Sequence, residues 1–304
     1  MIRKMKRIII TVAAILMTLI PALAGTFSKS YPLKGFTGIR ATHVFNVNVR
    51  ASGFYSVIVE APDYLEPYLI VELDRGQLVL RVARLPRDVE RKFSREKNGS
   101  LRAEVSMPAL ESVALSGAAR LDAEGDFEPL GGKTFRLDLS GATHASGLSV
   151  QAAAADIRLS GASSAGLKGS YGKVGLESSG ASKSRLGIDA VTVNAELSGS
   201  SSLDLEGEFD RISVEASGAS HADLQSTATL SSLNIECSGA SSVNGRNAKA
   251  EDVSVEVSGA SNCKVSALRT LTVEATGAST CFYEDTGTKV DIVQVSRGAA
   301  LKKL

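Results

Sequence analysis

A short word, serine–glycine–alanine or a close variant, returns along most of the chain, and its spacing constrains the fold more than any other feature. The glycines at its centre are Gly117, Gly141, Gly161, Gly180, Gly199, Gly218, Gly239, Gly259 and Gly277, and the variant Ser-Arg-Gly-Ala-Ala adds Gly298. Successive glycines lie about 20 residues apart, the period of a solenoid. Four residues before the glycine the chain is apolar (Val113, Leu137, Ile157, Val214, Ile235, Val255, Val273), and two before it is usually apolar again (Leu115, Leu139, Leu159, Leu197, Val257). Between them the later repeats carry Glu177, Glu196, Glu215, Glu236, Glu256 and Glu274. Apolar, charged, apolar is the alternation of a half-buried strand. Glycine then accepts the positive φ that a corner needs. After the corner, small or apolar residues return four positions on, as at Ala145, Ala165, Leu203, Ala222 and Val243. No apolar spacing of 3.6 is sustained here, which argues against a horseshoe with helices. The pattern predicts an all-β chain folded as a parallel β-helix with coils of about 20 residues.

One such coil cannot bury its own apolar face and needs a copy above and below. Equivalent positions then stack about 4.8 Å apart, so ten coils make a rod about 48 Å long. Identical residues become rows. Ser163, Ser182, Ser201, Ser220, Ser241, Ser261 and Ser279 sit two after the glycine; they suit turn chemistry and hydrogen bonding between coils, with a ligand-reading surface as the alternative. The glutamate row places like charges on neighbouring strands, which is destabilising. At about 5 Å in water the repulsion stays under about 1 kcal/mol per pair, so the row reads as a solvated stripe, with collection of divalent cations as the sharper alternative.

The first 24 residues read as a secretory signal: the basic Met-Ile-Arg-Lys-Met-Lys-Arg, an apolar run too short for a membrane span, and Ala22-Leu23-Ala24 before Gly25. No cysteine lies near the cut, so a lipoprotein is not expected, and no transmembrane span is expected in the mature chain. Of the 34 basic residues four belong to this leader, which leaves 30 against 33 acidic ones; that balance argues against nucleic acid as a partner. Residues 25–107 differ in texture. Two strands flank Ala-Ser-Gly and two flank Asp-Arg-Gly, both hairpin-like signals, and Pro86–Ser100 reads as an exposed loop. This segment is expected to supply β-rich N-terminal coils or a cap, with the repeat helix over 108–304. Charge is divided: Arg75–Arg102 holds nine basic and three acidic residues, whereas Val174–Leu304 holds 17 acidic and 11 basic. The division suits solubility, and alternatively head-to-tail attraction or contact of the basic loop with an anionic polymer.

Catalysis on a β-helix needs a singular pair of carboxylates, usually with aromatic platforms for sugars. The acidic breaks in the repeat are Asp122, Glu124, Asp126 and Glu128 in one turn and the segment Ser202–Asp210 in another; both read as surface loops. His144 and His221 share one outward row but lie four coils apart, so they give no metal site. The calcium-binding nonapeptide of β-rolls is lacking, and flat threonine ladders that would suit ice or crystal surfaces are replaced by serine. No cofactor is expected. Cys263 and Cys281, each four after a glycine, fall one coil apart and form a candidate disulfide, although parallel Cβ vectors suit the bond poorly and two small buried apolar side chains are the alternative; Cys237 lies in another row.

The leader, the start Phe-Thr-Gly-Ile-Arg-Ala-Thr-His-Val-Phe-Asn-Val-Asn-Val, the strand Gly-Gln-Leu-Val-Leu-Arg-Val and the serial Ser-Gly-Ala-Ser corners together resemble the putative auto-transporter adhesin, head GIN domain family. The likeness covers nearly the whole mature chain. It implies a secreted bacterial protein, of a kind common in Bacteroidetes, with a β-helical fold and no family catalytic motif. No translocator barrel is expected after Leu304. The expectation is a non-enzymatic, adhesin-like protein of the periplasm or cell surface that contacts a glycan, envelope polymer or partner protein; the alternative is a carbohydrate-active β-helix, a polysaccharide lyase or glycosidase.

Overall fold

The chain turns the same way at each serine–glycine–alanine word. A computed structural model describes residues 25–96, 101–284, 287 and 289–304; the leader read at residues 1–24 lies outside them. Gly218 and Gly239 both hold φ at +71°, a conformation glycine adopts freely. A Cβ on Gly239 would lie 2.7 Å from the Gly218 carbonyl oxygen. That same oxygen accepts the Ala240 N–H at 2.7 Å. The corner therefore demands glycine twice over, for its dihedral and for the closeness of the coil below. Equivalent 2.7 Å bonds run from Ala142 to Gly117, Ala162 to Gly141 and Ala260 to Gly239.

Between corners the period-two alternation sorts side chains. In the strand Leu230–Cys237, residues Leu230, Leu233, Ile235 and Cys237 are buried while Asn234 and Glu236 are exposed. Its neighbours stack in parallel register, Val214 on Ile235 on Val255 on Val273. Full burial of an Ile or Val contributes at most about 1.5–3 kcal/mol, so the core is a sum of thin layers. The result is a parallel β-solenoid of about 9 turns, 64% strand and 5% helix, as the repeat predicts. Each coil has a strand before the corner, the corner, a strand after it, and a second bend. The 15-residue strand Ser164–Ser178 runs through such a bend: its start pairs with His144–Ser149 and its end with Ala152–Leu159.

The first coils depart from chain order. The strands here are β1 (Thr26–Ser30), β2 (Gly38–Ala41), β3 (Phe45–Ala51), β4 (Ser56–Pro62), β5 (Leu69–Asp74), β6 (Gln77–Val82), β7 (Leu101–Met107), β8 (Ser112–Leu115) and β9 (Arg120–Glu124). β2 lies between β6 and β8, and β3 between β7 and β9, all parallel. The coil β6–β7 is thus outermost although β2–β3 precedes it in sequence. His43, at φ +64°, takes the glycine's place in the β2–β3 coil, and its carbonyl accepts the Ala118 N–H at 2.6 Å. Outside the β6–β7 coil the edges are covered by antiparallel strands, β5 on β6, β4 on β7 and β1 on β4. Such covering blunts edge pairing.

Two local expectations fail here. β5 and β6 do form the hairpin around Asp74-Arg75-Gly76, but β3 and β4 do not pair, because β7 lies between them. The described part of the Pro86–Ser100 segment is not an open loop: Arg87–Arg95 is helix α1, standing where a corner would be between β6 and β7. Val89 and Phe93, one turn apart, pack on the core, and that anchor is what makes the helix worth forming.

The corner ladder makes a direct prediction. Gly239→Val is expected to lower unfolding stability by about 1–3 kcal/mol, the cost of a strained backbone region, read as a fall in the denaturant midpoint. An unchanged midpoint would remove the corner from its place at the centre of the fold.

Candidate functional site

Two outward positions flank each inward apolar residue before the corner. Three before the glycine stands the glutamate, and immediately before it the serine or Thr276. Stacking turns these into two parallel rows. The register places Glu177 beside Glu196, then Glu215, Glu236, Glu256 and Glu274 in unbroken order. Toward the N-terminal end the same row continues as Arg158, Asp138, Ala114 and Arg40, and Arg158 pairs with Glu177 at 3.4 Å. The two rows line a groove of about 860 Å³ that runs along the rod from Arg40 and Thr42 to Glu274 and Thr276.

The groove serines are weakly tied. Ser179 and Ser217 donate to the Leu159 and Leu197 carbonyls at 3.3 Å, and Ser258 to that of Cys237 at 3.4 Å. These long contacts leave hydroxyl capacity toward the groove. The serines two after the glycine behave differently, and their ligand-reading alternative fails. Ser163, Ser182, Ser201, Ser220, Ser241, Ser261 and Ser279 are all buried. Ser220, Ser261 and Ser279 donate back to the residue just before the corner glycine, at 2.6–2.8 Å. The signal for this was present in the chain. The residue four after the glycine is apolar, and a period of two puts the residue two after on the same inward face.

The groove is acidic over its later coils, from Glu196 to Glu274. Glu236 has its carboxyl pushed above the usual range, first by burial and then by Glu215 and Glu256 beside it. No ion pair reaches Glu196, Glu215, Glu236, Glu256 or Glu274 among the described residues. Among those residues, too, no three His, Cys, Asp or Glu side chains converge on a point that could hold a metal ion. The glutamates form a line and not a cage.

Five residues of the acidic breaks have side-chain partners, whereas Glu128, Glu206 and Glu208 make no side-chain ion pair or hydrogen bond among the described residues. Glu124 pairs with Arg50 at 2.9 Å, Asp126 accepts from Ser149 at 2.7 Å, and Asp122 accepts from Ser146. Asp204 lies 3.6 Å from Arg185, and Asp210 2.8 Å from Arg211. His144 and His221 do share a row, separated by Ser164, Lys183 and Ser202, and His144 Nδ1 lies 2.5 Å from the Ser164 hydroxyl. Cys263 and Cys281 are register partners, both fully buried. The Cys263 thiol is held well above its ordinary range by its hydrogen bond with Cys281 and by burial. Burial pushes Cys237 to about 11.

Comparison with known proteins adds two findings. The profile of the family described as "Putative auto-transporter adhesin, head GIN domain" matches residues 35–187 and 176–286. The chain is also similar to solved structures titled as putative adhesins. One, from Bacteroides fragilis, is 13% identical with a TM-score of 0.51, covering 93% of this chain and 98% of that one. Another, from Parabacteroides distasonis, is 16% identical with a TM-score of 0.49, covering 91% and 96%. No curated protein matches the chain. Among the described residues no helix is long and apolar enough to cross a membrane.

Two measurements follow from the site. With the folded carboxyl of Glu236 above its ordinary 4.5, the folded state binds this proton more tightly than the unfolded state does. Stability from this group rises as pH falls through the raised value and levels off below 4.5. Glu236→Gln is therefore expected to melt higher than the wild type at neutral pH, with the difference vanishing below pH 4.5. A difference that is constant with pH, or a lower neutral melting point, contradicts the shift. Cys237, Cys263 and Cys281 are all free thiols in the structure, and we carry the Cys263–Cys281 disulfide forward as a proposal for the oxidised chain. Alkylation of the unfolded, non-reduced chain is expected to label Cys237 alone; three labelled thiols would exclude the Cys263–Cys281 bridge.

Proposed function

The chain belongs to the putative auto-transporter adhesin, head GIN domain family, and on that premise we propose that it is a secreted, non-enzymatic β-helical protein of the cell envelope or surface. Its work is adhesin-like contact with a glycan, envelope polymer or partner protein. The observation that carries this reading is the groove of repeated serine and glutamate. A site written once would bind one group at one place. A site written in successive coils offers the same contact every 4.8 Å or so, which suits a repeating partner and gains strength by multivalency. The pairing of Asp122, Glu124, Asp126, Asp204 and Asp210 with neighbouring donors weighs against these five as a general acid or base, which needs a carboxylate free to meet substrate. Export through the leader at residues 1–24 is part of the same proposal.

The test joins location to chemistry. Protease added to intact cells is expected to remove the protein from the outside, and the purified chain is expected to retain selected glycans or envelope polymer on an array. Glu215→Gln, Glu236→Gln and Glu256→Gln together are expected to weaken retention several-fold while leaving the rod folded. Repeating the array in calcium and in sodium of matched ionic strength separates two roles of the stripe. Retention and melting that respond to calcium alone assign the row to cation bridging. Equal behaviour in the two salts leaves the glutamates as direct contacts. Full retention by the triple variant would overturn the groove as the contact surface.

A further inference from the structure

Helix α1 carries a row of charge opposite to that of the glutamates. Arg87, Arg91 and Arg95 are spaced four residues apart, so they share one face. At 100° per residue their mean direction is opposite that of Val89 and Phe93, the pair packed on the core. All three arginines are exposed. Neither they nor Arg84 makes an ion pair with a carboxylate among the described residues; Arg91 Nε instead donates to the Arg87 carbonyl at 3.3 Å. The other charges of the helix's last turns are tied inward. Lys92 Nζ sits 3.9 Å from the Tyr64 ring centroid, and Glu96 accepts the Tyr64 hydroxyl at 2.6 Å. Like charges four apart on a helix oppose it by a few tenths of a kcal/mol per pair. The chain thus holds a convex arginine row at one end, with Asp88 beside it on the same helix face, and a concave row of glutamates along the flank.

The axial spacings agree. A helix of nine residues is about 14 Å long, and arginines four apart are separated by about 6 Å along its axis. Carboxylates in the groove recur about every 4.8 Å, so the six glutamates extend about 24 Å. Three arginines span three to four rungs, within the reach of guanidinium side chains that bind carboxylates in a fork. We propose that the groove receives helix α1 of a second copy of this chain, with Arg87, Arg91 and Arg95 set against the glutamates of successive coils. The inference rests on the reading of the groove as a contact surface and names its partner. Such a contact is heterologous, helix end to groove flank, and so extends into a series of copies instead of closing as a two-fold pair.

Sedimentation velocity of the purified protein tests this. At low salt the weight-average mass is expected to rise at least about twofold with concentration, and to return to the monomer value near 1 M salt, where the screening length is about 3 Å. The variant R87E/R91E/R95E and the variant E215K/E236K/E256K are each expected to stay monomeric at low salt. A mixture of the two restores opposite charges at the contact and is expected to regain association. Wild-type circular dichroism qualifies both variants; should the lysine variant not fold, E215Q/E236Q/E256Q replaces it and is expected to lose association. A protein that is monomeric at low salt overturns the inference. So does association undiminished in either variant, which would point to another surface such as the strand Lys289–Val295 with its exposed Ile292 and Val293. A mixture that stays monomeric overturns it as well. Glycan retention lost in the glutamine variant while self-association is absent throughout would sink this inference and leave the groove reading standing; retention unchanged as well would sink both.

Discussion

The bond from the residue after each corner glycine to the glycine of the coil below is the contact on which the rest depends. It is short, 2.7 Å at most corners, and it brings two backbones too close for any side chain between them. Once that contact is made, each coil can sit on the last in only one phase. Phase matters because a slip of one residue would turn every apolar side chain outward and every glutamate inward. The corner thus sets the register that buries Val214, Ile235, Val255 and Val273 in one column, exposes Glu215, Glu236 and Glu256 in the next and leaves Glu274 half-buried. The inward serines two residues on reinforce it, returning hydrogen bonds to the carbonyl just before the corner.

A stacked fold must also stop. At the N-terminal end the repeat grammar is abandoned: antiparallel β1, β4 and β5 cover the parallel edges, and α1 replaces a corner. The largest buried side chains cluster toward this end, among them Phe36, Phe45 and Phe135, where a cap of mixed elements leaves irregular space that thin aliphatic layers would not fill. His43 shows the transition. It holds the corner's positive φ as the first rung, with no glycine rung below it to crowd its side chain.

Function and stability pull against one another along the flank. Five glutamates without ionic partners among the described residues, one of them with its carboxyl pushed upward by burial and then by its neighbours, are no aid to folding. Water and salt make the cost tolerable, and a fold secured by backbone bonds at every corner can carry it. Exposed charge of one sign also keeps rods from pairing sideways. The same repetition that stores repulsion gives a partner of opposite character many equal contacts, so affinity can grow with the number of coils engaged and without any single strong site.

The repeat was enough to read the fold class, the coil length, the corner and the glutamate row, because each rests on local physics: a dihedral glycine tolerates, and an alternation of period two. The Leu69–Val82 hairpin was legible for the same reason, its turn written in Asp74-Arg75-Gly76. The stacking of Cys263 on Cys281 followed from counting. What the sequence by itself did not determine lies in partner choice. β3 and β4 look like a hairpin until β7 is placed between them, and α1 looks like a polar loop until Val89 and Phe93 find the core. The groove belongs to the same class, since its walls come from successive coils and its width depends on how sharply each corner folds. Alternation and turn chemistry act within a few residues and are written there, whereas the choice between open strand edges is settled only when distant segments compete for them, so tertiary structure alone decided the cap, the coil order and the shape of the site.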